Sequence, residues 1–218
     1  MHLAAIVLDF DGLILDTEWA EYESIAQIFT EHGTELDLAL WKTFIGTTDH
    51  PHWTEILTDQ LGRPVEREAL IAERRRRNQP SLDALALQPG VADLIDAAEL
   101  AGLPLAVASS SPRAWVRGHL ERLGLLDRFA AVHTGDEVAR TKPAPELYTL
   151  AVTSLGVSAA DAVAVEDSVN GCVAAKAAGM AVVAVPSTLT LDMDFSMADL
   201  VVGSVADLDL SILDGLVS

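Results

Sequence analysis

The feature that most constrains the fold is an alternation between short apolar runs and helical segments. Five runs, at residues 3–8, 105–108, 162–165, 181–185 and 200–202, have the uninterrupted apolar character of strands covered on both faces. Helical patterns at residues 91–101, 112–123, 145–155 and 171–178 each stop at a glycine, which can adopt the left-handed conformation that ends a helix. The alternation predicts an α/β fold: a Rossmann-like, doubly wound parallel sheet with helices on both faces.

One segment, from residue 18 to residue 86, interrupts this alternation. It contains no strand-like apolar run but has three helical patterns; two end at Gly33 and Gly62, and the third covers residues 66–78. Helices inserted after the first strand indicate a separate subdomain above the sheet. We therefore predict a discontinuous α/β core over residues 1–17 and 87–218 and an inserted helical cap over residues 18–86.

The charge balance limits the partners that we expect. The 218 residues include 33 acidic and 14 basic side chains, which give a formal net charge of −19. Such a surface repels nucleic-acid phosphates and anionic lipids, so we expect neither nucleic acid nor membrane as a partner. The single cysteine cannot form an internal disulfide, and the first apolar run is too short for a signal sequence. These features predict a cytoplasmic monomer that acts on a small molecule.

Carboxylates follow two of the predicted strands. Asp9 and Asp11 come after the first run, and Glu166 and Asp167 follow the run at residues 162–165. Because ligands of doubly wound sheets bind outside the carboxyl ends of the strands, these acids are expected at the ligand site. Taken alone, the first pair is equally well explained as solvated caps of the following helix.

Two further segments at strand ends suit an anion. Ser109, Ser110 and Ser111 precede a helix whose free N–H groups form an anion site, although serines are also ordinary helix N-caps. Lys142, one of three lysines in the chain, precedes another helix. Crowded carboxylates without a nearby His or Cys select Mg²⁺ over zinc. The set therefore predicts a Mg²⁺ ion and a bound phosphate, which together would offset the unfavourable net charge locally.

Four motifs, in this order, resemble those of the haloacid dehalogenase (HAD) superfamily. They are DFDGLILDT at residues 9–17, AVASSS ending at residue 111, TKPAPELY at residues 141–148 and VEDSVNG at residues 165–171. The resemblance covers essentially the whole chain. It is to the branch that contains β-phosphoglucomutase and the sugar-phosphate phosphatases, whose helical cap (C1 type) is inserted after the first motif.

The resemblance implies a role for each motif residue. Asp9 would be the nucleophile that forms an aspartyl-phosphate, and Asp11 the general acid–base that protonates the leaving oxygen and then activates water. Ser109, the N–H of Ser110 and Lys142 would hold the phosphoryl group.

The resemblance also implies a Mg²⁺ cofactor. Its ligands would be Asp9, the backbone carbonyl of Asp11, and Asp167 with Glu166 beside it. A carboxylate is a weak nucleophile towards an anionic phosphoester unless cations neutralise the repulsion, and Mg²⁺ with Lys142 would do so.

The same resemblance separates several activities. Dehalogenases of the superfamily lack an acid two residues after the nucleophile, which is present here as Asp11, and phosphonatases need a cap lysine in a place that Lys42 does not occupy. β-Phosphoglucomutase uses a cap histidine and a cap arginine where this chain has Glu21 and Asp49. We therefore predict a phosphatase acting on a small phosphomonoester such as a sugar phosphate. The alternatives are a phosphosugar mutase and, in another class, a catalytically idle regulatory or binding protein.

Three cap residues are candidates for substrate specificity. Glu21 and Asp49 would favour sugar hydroxyls over a second phosphate, and Arg77 lies near the position of a cap lysine in the mutases. Arg77 ends a run of four arginines at residues 74–77, which would spread around a helix, so most are expected on a solvated face. The four tryptophans are interpreted as packing residues, with a place on the cap side of the pocket as the alternative for two of them, Trp19 and Trp53; the other two are Trp41 and Trp115.

Overall fold

A six-stranded parallel sheet forms the centre of the computed structural model, which describes residues 2–217. Its strands are β1 (Ala5–Leu8), β2 (Leu105–Ala108), β3 (Ala131–His133), β4 (Ala162–Glu166), β5 (Ala181–Ala184) and β6 (Leu200–Val201). Their order across the sheet is β3-β2-β1-β4-β5-β6, and every neighbouring pair is parallel. The predicted α/β class with a doubly wound sheet is confirmed.

The winding of the chain changes direction at β1. The chain passes outwards from β1 to β2 and β3, then returns to β4 on the other side of β1. Val7 of β1 is therefore level with Ala106 of β2 and with Ala164 of β4. In doubly wound sheets, ligands bind at the carboxyl ends of the strands beside such a switch point. The topology thus places the expected site above β1 and β4.

Alternate residues of β1 contact two separate hydrophobic clusters. Ile6 and Leu8 belong to one cluster, and Ala5 and Val7 belong to the other. Successive strand residues point to opposite faces, so both faces of the sheet are covered by helices. This double covering explains why the strands appear in the sequence as continuous apolar runs.

The helices match the predicted pattern closely in the core. In chain order they are α1 (Thr17–Glu31), α2 (Leu38–Lys42), α3 (Trp53–Leu61), α4 (Arg67–Ala84), α5 (Val91–Leu100), α6 (Arg113–Arg122), α7 (Glu146–Leu155), α8 (Val169–Ala177) and α9 (Leu210–Asp214). The glycines that follow α5 to α8 all have positive φ, between 69° and 87°: Gly102, Gly124, Gly156 and Gly179. The helix ends that these glycines indicated are therefore correct.

Helices α1 to α4 occupy the segment for which a helical cap was predicted. They surround a hydrophobic cluster of their own, against which Leu70 and Ile71 of α4 pack. Its buried members are Ile25, Ile28, Phe29, Leu36, Trp41, Ile45, Trp53 and Leu57 together with Leu189 from the core. We propose the cap to span residues 18–86, as predicted; the end residues of the predicted core, 1 and 218, lie outside the described residues. None of the helices within residues 2–217 combines the length and the apolar character that a bilayer-crossing segment needs.

Candidate active site

The carboxyl ends of β1 and β4 bring three acidic side chains together. Asp9 follows β1, and its N–H donates to the carbonyl of Val165 in β4 at 3.0 Å, so Asp9 lies beside Glu166 and Asp167. One carboxylate oxygen from each of these acids lies within 4.8 Å of the other two. All three side chains are buried. The sequence prediction that these acids share one crevice agrees with this geometry.

Lys142 lies inside this acidic cluster. Its Nζ donates to Oδ1 of Asp9 and to Oε1 of Glu166, each at 2.5 Å, and the residue is only 1% exposed. The hydroxyl of Tyr148 also donates to Oε1 of Glu166. The cluster therefore contains three carboxylates and one ammonium group, which leaves an excess of negative charge in a buried place.

Burial and the neighbouring charges shift the pKa of three side chains in this cluster. Burial, assisted by the charge of Glu166, raises the pKa of Asp9 to about 8. Burial also raises the pKa of Asp167, and the neighbouring charges of Asp9 and Glu166 add to the effect. Burial alone would lower the pKa of Lys142, but the two adjacent carboxylates outweigh it and raise the pKa. A second cation would relieve the repulsion between these acids.

Asp167 fits the role of a ligand to such a cation. Both of its carboxylate oxygens are buried, and neither has a hydrogen-bond partner among the residues that the structure describes. Gly12 approaches this carboxylate closely with a φ of +83°; a Cβ built there would lie 1.9 Å from Oδ2 of Asp167. A buried carboxylate is costly without a partner, and an all-oxygen donor set suits a hard divalent cation. The residues present therefore fit a divalent metal.

The side chain of Asp11 has a different environment. Its carboxylate accepts hydrogen bonds from Oγ1 of Thr17 at 2.7 Å, Oγ of Ser111 at 2.6 Å and Nε1 of Trp115 at 2.8 Å. The contacts of Ser111 and Trp115 with Asp11 are not predictable from the sequence motifs. Trp115 lies four residues beyond the serine motif, and the sequence alone does not show which way its indole N–H points.

The serines after β2 lie along the same crevice. Ser109 is 1% exposed, and its Oγ accepts from the N–H of Ser111 at 3.0 Å. Oγ of Ser110 instead donates to the carbonyl of Gly46 in the cap at 2.9 Å. The predicted contact of Ser110 with phosphate is made by its backbone N–H, which this side-chain bond does not involve. The loop therefore faces both the acidic cluster and the cap.

A cavity of about 380 Å³ lies between core and cap. Asp9, Asp11 and the three serines line it from the core, while Glu21, Arg74, His50, His52 and Trp53 are among the cap residues that line it. A second cavity, of about 550 Å³, shares Asp11, Glu18, Glu21 and Arg74 and continues towards Asn78 and Trp115. The two cavities have room for a small phosphorylated metabolite.

The cap residues predicted for specificity fall in different places. Glu21 lines both cavities and forms an ion pair with Arg74 at 2.8 Å. Arg77 lines neither of these two cavities; it pairs with Glu31 and Glu73. The specificity role of Arg77 stays a prediction; the arginine of this run that lines both cavities is Arg74, one turn earlier on α4.

Two acidic cap residues, Asp49 and Glu18, differ in their position relative to the cavities. Asp49 is exposed and does not line the cavity of about 380 Å³, although its neighbours Thr48 and His50 do. Glu18, which was not predicted, lines both cavities, and burial together with the charge of Asp11 raises its pKa. Its spacing of three residues from Glu21 on α1 is the signal that could have identified it, because such residues share a helix face.

Known proteins resemble this chain in sequence. The profile of the haloacid dehalogenase-like hydrolase family matches residues 6–185. YhcW of Bacillus subtilis (strain 168), named as a phosphatase, is 44% identical over 211 residues, which cover 97% of this chain and 96% of YhcW. The validoxylamine A 7′-phosphate phosphatase of Streptomyces hygroscopicus subsp. limoneus is 30% identical, over 84% of this chain and 85% of that enzyme.

Solved structures show the same fold. A variant of CbbY from Rhodobacter sphaeroides, crystallised in complex with xylulose 1,5-bisphosphate, superposes with a TM-score of 0.77 and 31% sequence identity. The match covers 99% of this chain and 100% of that protein. The fold is therefore shared along nearly the full length of the two chains.

Proposed function

The chain belongs to the haloacid dehalogenase-like hydrolase family and is a phosphoric monoester hydrolase, and on that premise we propose that it is a Mg²⁺-dependent phosphatase of sugar phosphates that acts through an aspartyl-phosphate. The observation that carries this proposal is the buried cluster of Asp9, Glu166 and Asp167 with Lys142 inserted between two of them. Such a cluster has the charge and the donor atoms that a phosphoryl group and a divalent cation require.

The proposed metal ligands are Asp9, Asp167, Glu166 and the backbone carbonyl of Asp11. Asp167 supports the choice of Mg²⁺ most directly, because both of its buried oxygens lack a partner among the described residues. Asp9, Glu166 and Asp167 offer only oxygen atoms, which Mg²⁺ prefers over nitrogen and sulfur. When bound there, Mg²⁺ would neutralise charge on the carboxylates and on the phosphoryl oxygens as a Lewis acid.

In the first step, Asp9 attacks phosphorus. An oxygen of Asp9 forms a bond to phosphorus, the bond between phosphorus and the leaving oxygen breaks, and the carboxylic proton of Asp11 passes to that oxygen. Lys142, already hydrogen-bonded to Asp9, keeps the nucleophile oriented and holds a phosphoryl oxygen. Ser109 and the N–H of Ser110 bind the remaining phosphoryl oxygens at the loop after β2.

In the second step, water releases the phosphate. A water molecule attacks phosphorus and gives a proton to the carboxylate of Asp11, and the bond between phosphorus and Asp9 breaks. The products are inorganic phosphate and free Asp9, with Asp11 protonated again. One acid–base group therefore serves both steps, which is consistent with its position on the cavity wall beside the serine loop.

The ion pair between Glu21 and Arg74 supports a sugar phosphate as the substrate class. The CbbY relative was crystallised with a bisphosphate, but here the charge of Arg74 is balanced by Glu21 at 2.8 Å on the cavity wall. A matched pair can donate to and accept from hydroxyl groups without attracting a second phosphate. We therefore propose a leaving group rich in hydroxyls and free of a second phosphate.

The decisive experiment measures phosphate release from a panel of phosphorylated metabolites, including glucose 1-phosphate and hexose 6-phosphates. We expect turnover with Mg²⁺, loss of turnover with a chelator, and loss by at least about 10³-fold in Asp9→Asn. Turnover that survives Asp9→Asn would overturn the proposed nucleophile. Isomerisation of hexose phosphates faster than phosphate release would favour the mutase instead, and no turnover of any phosphomonoester would contradict the phosphatase.

A further inference from the structure

Trp115 contacts the proposed general acid–base although it belongs to none of the four motifs. Its Nε1 donates to Oδ1 of Asp11 at 2.8 Å. The ring of Trp115 lies edge-on to the ring of His119, with the ring centres 4.5 Å apart, and it packs against the main hydrophobic cluster of the core. The indole N–H is therefore held in one place by its surroundings.

The two oxygens of Asp11 differ in the kind of donor that each one meets. Oδ1 accepts from Trp115 and from the hydroxyl of Thr17, whereas Oδ2 accepts from the hydroxyl of Ser111 at 2.6 Å and lies 3.5 Å from Oγ of Ser109. A hydroxyl can rotate and become an acceptor, but an indole N–H can only donate. A proton on Oδ1 would weaken that oxygen as the acceptor of the fixed N–H of Trp115, whereas Oδ2 meets only hydroxyls that can rotate, so this arrangement favours the proton on Oδ2.

We propose that Trp115 is a positioning residue that fixes the carboxyl group of Asp11 and keeps its transferable proton on Oδ2. The inference rests on the proposed function, in which Asp11 donates that proton. In the first step the proton leaves Oδ2 for the leaving oxygen, while the bond from phosphorus to that oxygen breaks and the bond from phosphorus to Asp9 forms. Oδ2 lies beside Ser109, a proposed phosphate ligand, so the proton is held on the side of the reacting phosphoryl group.

The test separates proton donation from general damage to the site. Single-turnover rates of enzyme phosphorylation are measured for wild type and Trp115→Phe with three substrates: p-nitrophenyl phosphate, phenyl phosphate and the sugar phosphate that wild type hydrolyses fastest. p-Nitrophenolate leaves without needing a proton, whereas a sugar alkoxide needs one. We expect Trp115→Phe to be at least about 10-fold slower with the sugar phosphate but within about twofold of wild type with p-nitrophenyl phosphate.

Two further proteins make the result unambiguous. Trp19→Phe makes the same chemical change at an exposed site outside both cavities and should match wild type with all three substrates. Replacement of Trp115 by benzothienylalanine keeps the bicyclic ring but removes the N–H. This protein should show the same substrate-dependent loss of rate as Trp115→Phe, which excludes altered packing around the smaller phenyl ring as the cause.

Two outcomes would overturn the inference. Equal losses with all three substrates would show that Trp115 is only structural, and no loss with any substrate would show that its N–H is not used. Failure of wild type to release phosphate from any of the three would instead contradict the proposed function itself, so the two failures are distinguishable.

Discussion

At the scale of single residues, the absence of a side chain at position 12 makes room for Asp167 in the proposed metal site. Gly12 has a φ of +83°, and a Cβ there would lie 1.9 Å from Oδ2 of Asp167 and 2.5 Å from its Cγ. Gly171 stands in the same relation to Glu166, because a Cβ built on it would lie 1.9 Å from Cδ. Two glycines of the motifs are therefore needed for the close approach of backbone to carboxylates, and not only for chain reversal.

We predict that Gly12→Ala weakens Mg²⁺ binding. The added methyl group must displace Asp167, and loss of such support around a metal costs about 10- to 100-fold in affinity. Gly33→Ala is the matched control, because Gly33 has a similar φ of +77° but nothing lies within 4 Å of the added Cβ. Both variants should lose about 1–2 kcal/mol of stability from backbone strain. Calorimetric titration with Mg²⁺ measures the difference, and equal affinities in the two variants would contradict the prediction.

At the scale of elements, helix α4 shows how rotation divides a run of identical residues. Arg74 points into the cavity and pairs with Glu21, whereas Arg76 pairs with Glu73 on the same helix and has a side chain that is 74% exposed. Successive helix positions are about 100° apart, so four consecutive arginines cannot share one environment. The expectation that most of the run is solvated agrees with the structure, but the member that reaches the cavity is not the one that the sequence suggested.

We predict that Arg74→Gln raises KM for sugar phosphates while Arg76→Gln does not. Loss of Arg74 leaves Glu21 unpaired at the cavity wall and removes a charged donor, which costs about 1.5 kcal/mol or more, or about 10-fold in KM. Arg76→Gln removes an exposed ion pair and should change KM by less than about twofold. Steady-state kinetics with a sugar phosphate and with p-nitrophenyl phosphate distinguish binding of the leaving group from damage to the core. A KM for the sugar phosphate that is unchanged in Arg74→Gln would argue against the proposed subsite.

Most elements of the core could be predicted because their burial leaves a direct signature in the sequence. Strands covered on both faces must be apolar throughout, and four helices end at glycines with positive φ. Strand β3 was missed because its three residues are only half-buried and it ends in His133, so it has no continuous apolar signature. Helix α4 was predicted to end at residue 78 but continues through Pro80 to Ala84.

Only part of the site could be predicted from the sequence. Backbone direction brings Asp9 and Asp167 together, because both follow the ends of neighbouring parallel strands. Contacts that depend on side-chain direction could not be predicted. Trp115 meets Asp11 across 104 positions of sequence, and the choice of Arg74 over Arg77 depends on the rotation of one helix against another.

At the scale of the whole molecule, three of the polar contacts between cap and core come from the motif segments. Asn170 in the fourth motif donates to the carbonyl of Ile45 at 2.8 Å, Ser110 donates to the carbonyl of Gly46, and the hydroxyls of Thr48 and Thr141 are 2.8 Å apart. All three involve motif segments that also form the site. The proposed phosphate-binding loop therefore also supplies a contact between core and cap, so we expect substrate binding and exclusion of water to be coupled.

The acidic cluster should also make the stability of the whole molecule depend on Mg²⁺. Binding at 100 times Kd stabilises the folded state by about 2.7 kcal/mol, which for a chain of this size raises Tm by about 5–10 °C. In Asp167→Asn the metal-free protein should melt at a higher temperature than metal-free wild type, because one of three crowded carboxylates is gone, and Mg²⁺ should no longer raise Tm. Asp127→Asn is the control. It removes one exposed charge that does not belong to the acidic cluster, so this variant should respond to Mg²⁺ as wild type does. Differential scanning calorimetry with chelator and with Mg²⁺ measures these shifts, and a wild-type response that persists in Asp167→Asn would place the cation elsewhere.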